Sequence, residues 1–249
     1  MTDVGRARGH NEDSLYIFMG EQESVGAAPL FGLFILADGM GGHQAGELAS
    51  ALACRVVAGH LMSQVYLPTL SSLERGATQL SLTEILTEAI VSANRVIHQT
   101  LPGSGTTLTC AMVFGERLFI GHVGDSRVYL RPASGDVRQL TRDHSVVGKL
   151  VEIGQLTPEE AIVHPQRNML YRAVGQGFSL DVDVQSQPLQ PGDQFLLCSD
   201  GLWGLLSDEE LWRIVAAAPT PSAACVQLVA AANAAGGHDN ISVILVKTR

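Results

Sequence analysis

"FGLFILADGMGGHQAGELAS", residues 31–50, decides the fold. An apolar run ends at Asp38, glycines follow at 39, 41 and 42 around Met40, and a helical pattern begins near His43. Two readings compete at Asp38. Asp-Gly is an ordinary turn dipeptide, or the carboxylate is held at the end of a buried strand for chemistry. A buried carboxylate must be paired or must meet a cation, and no Lys or Arg lies within ten residues of Asp38 on either side.

Outward from this stretch, further apolar runs rich in β-branched and aromatic residues predict strands at 15–18, 30–37, 106–114, 117–124, 127–131, 182–189, 194–200 and 241–247. Gly115-Glu116 is short enough for a hairpin, and Ser134-Gly135 marks another turn. Such close connections favour antiparallel pairing. Capping boxes predict helices after Ser81 (with Glu84), Thr157 (with Glu160, Pro158 leading) and Ser207 (with Glu210). "SAACVQLVAAANAAGG" is a fourth helix closed by Gly236-Gly237, and residues 43–61 are a fifth. Residues 62–80 are the least patterned and read as a loop. Helices placed between groups of strands indicate a layered α+β fold.

Asp38 has counterparts. Asp200 follows an apolar strand in "FLLCSDGLWG", Asp239 precedes one in "GGHDNISVIL", and Asp125 lies between two in "FIGHVGDSRVYL". Glu12 and Asp13 stand just before the first strand. Asp38-Gly and Asp200-Gly each lead toward a helix, so neither is a two-residue hairpin turn. Acids gathered at one sheet edge would repel severely without divalent metal. Oxygen-only ligands favour Mg²⁺ or Mn²⁺ over Zn²⁺, and two such ions can activate a hydroxide for attack on phosphorus. The residues alone reach a candidate Mg/Mn hydrolase and no further.

Composition narrows the classes. The chain has 249 residues, 46% of them hydrophobic, enough for a substantial core. Sixteen basic against 25 acidic residues leave a net charge of −9, with no basic block. Nucleic acid and anionic membranes are therefore excluded as expected partners. The four cysteines (54, 110, 198 and 225) form no C-x-x-C pair and lie mostly in apolar runs, which points to a reducing cytoplasm. The N-terminus shows no apolar signal segment, and no 18-residue apolar stretch occurs.

"TDVGRARGHNEDS", "ADGMGGHQAGELAS", "GTTLTCAMV", "VGDSRVYL", "LLCSDGLWGLLSDEEL" and "GGHDNISVIL" resemble, in order, the successive motifs of the metal-dependent protein phosphatase family, also called protein phosphatase 2C. The resemblance runs from about Thr2 to Lys247, and the "DGMGGH" form is similar to the bacterial branch. It implies a single catalytic domain over 1–249, built as a four-layer αββα sandwich: two central antiparallel sheets flanked by helices, with metals at one end between the sheets.

The resemblance also assigns roles. Asp38 bridges two metals and Gly39 ligates one through its carbonyl. Asp200 and Asp239 ligate the second, Glu12 and Asp13 hold or orient metal-bound waters, and Asp125 ligates a third, weaker ion. Arg8 binds the substrate phosphate; a guanidinium fork matches two phosphate oxygens, and the plain alternative is a solvated surface Arg. His43 either handles substrate or the leaving-group proton, or is only a helix-start residue facing solvent. His10, His122 and His238 read as hydrogen-bonding or packing residues beside the motif acids. Residues 146–175 occupy the place of the family's flap, where Lys149, Arg167 and Arg172 either meet phosphopeptide charge or are solvated.

The expected enzyme is a Mn²⁺- or Mg²⁺-dependent protein serine/threonine phosphatase. It hydrolyses phosphoserine and phosphothreonine by direct attack of a hydroxide activated by two metals. The expected setting is a cytoplasmic monomer that opposes a cognate Ser/Thr kinase in signal transduction, with phosphorylated proteins as partners. Two rivals remain: a phosphatase for a small phosphoester, which shares the reaction centre, and an inactive phosphoprotein-binding regulator. Such regulators lose metal acids, whereas Asp38, Asp200 and Asp239 are all present.

Overall fold

In the computed structural model, which describes residues 1–20, 29–41, 44–71 and 81–248, two antiparallel sheets lie face to face. The strands are β1 (Thr2–Asp3), β2 (Asp13–Gly20), β3 (Phe31–Met40), β4 (Gly105–Thr106), β5 (Leu108–Phe114), β6 (Arg117–Val123), β7 (Arg127–Arg131), β8 (Arg138–Gln139), β9 (Asp183–Pro188), β10 (Gln194–Cys198) and β11 (Ile241–Lys247). One sheet runs β1-β11-β10-β7-β8; the other runs β2-β3-β5-β6-β9, with β4 paired to the end of β3. The predicted hairpin is present: Phe114 pairs with Arg117 around Gly115 at φ 58°.

Helices α1 (Gln44–Leu61) and α3 (Leu82–Thr100) cover the second sheet, and α6 (Asp200–Trp203), α7 (Asp208–Ala217) and α8 (Pro221–Ala234) cover the first. The expected αββα order of layers is therefore observed. Residues 62–80 depart from expectation. Met62–Tyr66 is π-helical and Leu67–Ser71 forms α2, both continuing α1; residues 72–80 lie outside the described ones. Val65, buried, and Tyr66, in ring contact with Phe18 and Phe31, extend the helix along the core. The stretch 45–70 is long and apolar enough to cross a membrane by length and composition, but Ala49, Ala53, Val57 and Leu61 pack into the core. Two short helices, α4 (Val146–Glu152) and α5 (Pro158–Val163), lie between β8 and β9.

The caps are largely those expected. Ser81 with Glu84 and Thr157 with Glu160 form reciprocal capping boxes. Ser207 accepts from the Glu210 N–H, but the Glu210 carboxylate lies 3.9 Å from Arg213 instead of closing the box.

Strand alternation places the site. On β3, Phe31, Leu33, Ile35 and Ala37 face the α1–α3 layer, while Phe34 and Leu36 enter the layer between the sheets. Successive strand side chains point to opposite faces, so Asp38 continues the inter-sheet series. Asp13 does the same beyond Leu15, and Ser199 beyond Phe195 and Leu197. The inter-sheet layer is apolar through its middle, where Phe34 meets Phe195 edge-on at 5.5 Å. It becomes polar at one end.

Candidate functional site

At that polar end, Asp13 and Asp38 are register partners on adjacent strands. The Asp38 backbone is pinned on both sides. Its N–H donates to Thr107 Oγ1 at 2.9 Å, and its carbonyl accepts from the Thr106 hydroxyl and the Thr107 N–H, each at 2.8 Å. The Gly39 N–H donates to the Glu12 carbonyl at 3.1 Å. A Cβ on Gly39 would sit 2.2 Å from the Gly46 carbonyl oxygen and 2.6 Å from that of Glu12, so only glycine fits between α1 and the loop before β2.

Asp200 opens α6 directly after β10, and its side chain interacts with that of Asp38. Asp239 precedes β11. Asp38 feels the charges of Asp13, Asp200, Asp125 and Asp239 together, so five of the predicted acids do share one space. Burial pushes Asp13 up to about 7 and Asp200 up to about 6. Burial, reinforced by neighbouring carboxylates, drives Asp38 and Asp125 well above the usual carboxylate range. The Glu12 carboxylate lies against Gly46 and 3.3 Å from His10 Nε2, and its charge acts on Arg8 along with those of Asp239 and Asp200.

The donor set fits hard divalent ions. Asp13 Oδ1 and Asp200 Oδ1 are buried without a hydrogen-bond partner, an arrangement that costs free energy unless something compensates it. The acids offer only oxygen, which suits Mg²⁺ or Mn²⁺. Among the described residues, no three His, Cys, Asp or Glu side chains already close into a cage.

Arg8 lies at the rim, half-exposed, with Nη2 2.7 Å from Asp239 Oδ2. That hydrogen bond holds the Arg8 guanidinium above its usual pKa. His43 lies outside the described residues, and so does Gly42. His122 is a core residue. Its ring bridges Thr109 Oγ1 at 2.9 Å and the Arg142 carbonyl at 3.0 Å, and burial lowers its pKa to about 4. His10 and His238 are exposed.

A cleft of about 1090 Å³ runs from Asp125, Asp200 and Asp239 to Lys149, Arg167 and Arg172. The segment 146–175 thus borders the acidic site. Lys149 is paired with Glu152 at 2.7 Å and Arg172 with Asp183 at 2.8 Å, whereas Arg167 is exposed.

Several positions escaped the sequence reading. Asn240 organises the loop that carries Arg8: its Oδ1 accepts from the Glu12 N–H, and its Nδ2 donates to the Val4 and His10 carbonyls. Ser199 donates to Asp13 Oδ2 at 3.0 Å. Trp203 Nε1 donates to the Asp125 carbonyl at 3.0 Å. Each adjoins a motif acid in sequence or faces one in space, and adjacency was the only signal available.

The family model described as protein phosphatase 2C matches residues 10–231. The chain is 38% identical over 247 residues to the serine/threonine phosphatase stp of Listeria innocua, covering 99% of this chain and 93% of that protein. It superimposes on the serine/threonine phosphatase Stp1 of Staphylococcus aureus with a TM-score of 0.83 and 33% identity, covering 100% of this chain and 93% of that one. The catalytic domain of the phosphatase PstP, solved in complex with two manganese ions, gives a TM-score of 0.79 at 33% identity, covering 99% of this chain and 95% of that one.

Proposed function

The chain belongs to the protein phosphatase 2C family and is a metal-dependent protein-serine/threonine phosphatase; we propose that the acids at the end of its inter-sheet layer hold the metals, and that Arg8 receives the phosphate. The observation that carries this assignment is the pairing of Asp13 with Asp38 across adjacent strands, within reach of Asp200 and Asp239 and with two buried oxygens unpartnered.

Asp38, the Gly39 carbonyl, Asp200 and Asp239 would hold two Mn²⁺ or Mg²⁺ ions, and Asp125 a third. When bound, such ions supply Lewis acidity, lowering the pKa of water and offsetting charge on phosphoryl oxygens. The chain's own groups do the remaining work. Asp13, fixed by Ser199, orients water through a carboxylate oxygen that has no other partner. Glu12 secures the loop through its backbone, which accepts from Gly39 and Ser50. Arg8 stands beside Asp239 at the cleft mouth, where its remaining N–H groups can take two phosphate oxygens.

The cleft extends well beyond the volume of one phosphoryl group, which supports a peptide rather than a small phosphoester as substrate. A Ser/Thr kinase would supply these phosphoproteins, and the enzyme would act as a cytoplasmic monomer. The four cysteines, all buried and free, suit a reducing compartment. The test is release of phosphate from a phosphothreonine peptide with Mn²⁺. Activity should vanish in excess chelator and in Asp38→Asn; full activity in either would overturn the assignment.

A further inference from the structure

Residues 141–145 lead into the segment that borders the cleft, and His144 among them is 2% exposed. It grips a single glycine twice. The His144 backbone N–H donates to the Gly124 carbonyl at 2.8 Å, and the His144 ring Nδ1 accepts from the Gly124 N–H at 3.0 Å. Gly124 has φ 114°, and a Cβ there would lie 2.6 Å from Thr107 Cβ, so no other residue can take its place. The next residue is Asp125, whose carbonyl is held from the far side by Trp203. The carboxylate that meets Asp38 and Asp200 is therefore set between two anchors.

The ring is fixed in turn. Nδ1 serves as an acceptor, so the imidazole proton resides on Nε2. Nε2 faces Asp183 Oδ2 at 3.2 Å, while Arg172 holds Asp183 Oδ1 at 2.8 Å. Arg172 Nη1 also lies 3.2 Å from Nε2, but two donors make no hydrogen bond. Burial keeps the His144 pKa below the ordinary imidazole value, which agrees with a neutral ring.

Both legs of the segment 146–175 meet at this residue. The His144 carbonyl accepts from the Tyr171 N–H at 2.9 Å, and the Val146 N–H donates to the Met169 carbonyl at 2.8 Å. We infer that His144 is a positioning residue for the phosphatase reaction: it couples the base of the 146–175 segment to Asp125 through its double hold on Gly124. The inference rests on the assignment of Asp125 to the metal site.

Two near-isosteric variants separate the ring's two contacts. His144→Asn keeps an acceptor at the δ position and loses the contact to Asp183. His144→Gln supplies a donor at the ε position and loses the hold on the Gly124 N–H. We expect kcat on a phosphothreonine peptide to fall about 10- to 100-fold in His144→Gln, the scale of a displaced group, and to be largely retained in His144→Asn, whatever their melting temperatures. By calorimetry, the weakest Mn²⁺-binding step should weaken in His144→Gln as it does in Asp125→Asn. The double variant His144→Gln/Asp125→Asn should be no slower than Asp125→Asn alone. Equal kcat in the Asn and Gln variants, or additive losses in the double variant, overturns the inference and leaves the Asp125 assignment standing. Wild-type kcat and Mn²⁺ binding in Asp125→Asn overturns both.

Discussion

Asp13 and Asp38 stand directly opposite each other across the β2–β3 pair, the first buried and the second half-buried, and the charge of Asp13 acts on Asp38. Like charges so placed destabilise the fold until something offsets them. We predict that Asp13→Asn raises the melting temperature of the metal-free protein while lowering activity, the expected trade at a strained site. The gain is on the order of 0.2–1 kcal/mol, one repulsive cross-strand pair being relieved. Thermal melts in chelator check it; an unchanged or lower melting temperature would contradict the repulsion.

Metal binding should stabilise the wild type in the same assay. At about a hundredfold excess over Kd the expected gain is about 2.7 kcal/mol per independent site. Asp38→Asn should lose most of that response to Mn²⁺. Differential scanning calorimetry with and without Mn²⁺ distinguishes this loss from a general loss of fold, because the metal-free melt of Asp38→Asn should remain cooperative.

Gly39→Ala should be among the most damaging single-methyl changes. Its Cβ would fall 2.2 Å from the Gly46 carbonyl oxygen, so α1 must move off β3. Overpacking of this kind costs about 1–3 kcal/mol or more. Urea unfolding should show the loss, and phosphatase activity should fall further than stability does, because the backbone next to Asp38 shifts.

Arg8→Lys should retain a positive charge at the rim but lose the guanidinium fork. We expect kcat/KM on a phosphothreonine peptide to fall about 10- to 100-fold, corresponding to about 1.4–2.7 kcal/mol of transition-state binding. Arg8 is half-exposed, so the melting temperature should hardly change. Steady-state kinetics at saturating Mn²⁺ tests it; a wild-type kcat/KM would remove Arg8 from the phosphate site.

His122 supplies a pH dependence. Its folded pKa is about 4, against about 6.5 for a free imidazole. Between those values the unfolded chain binds more protons than the folded one, so stability rises with pH. The contribution is fully present above about pH 6.5 and is lost as pH falls toward 4, amounting to roughly 3 kcal/mol at the full shift. The buried carboxylates titrate in the opposite sense, so the measurement is the difference in unfolding free energy between wild type and His122→Gln from pH 7 to pH 4. That difference should shrink as pH falls.

Much of this protein is legible locally. The strands around Asp38, Asp125, Asp200 and Asp239 are continuous apolar runs bounded by turn residues, and the capping boxes at Ser81 and Thr157 are contiguous in sequence. Residues 62–71 are helical where the sequence predicts a loop, because polar positions and Pro68 obscure the periodicity while Val65 and Tyr66 are held by the core. The motif acids could be read as strand-end carboxylates, and their resemblance to a family gave them roles. The contacts of the Glu12 carboxylate with His10 and Gly46 are not announced by its place in the sequence.

The sequence by itself determined the strands, the principal helices and the carboxylates at strand ends, because those follow from hydrophobic runs, turn chemistry and caps within a few residues. The tertiary structure alone decided which way each carboxylate points and what it meets. β3 is buried on both faces, Ala37 and Leu36 alike, so no alternation of polar and apolar residues marks the side on which Asp38 lies. The partnerships of Asp13 with Asp38, Arg8 with Asp239 and His144 with Gly124 join segments remote in sequence. They exist because strand register and the stacking of two sheets bring those segments to one end of the same layer.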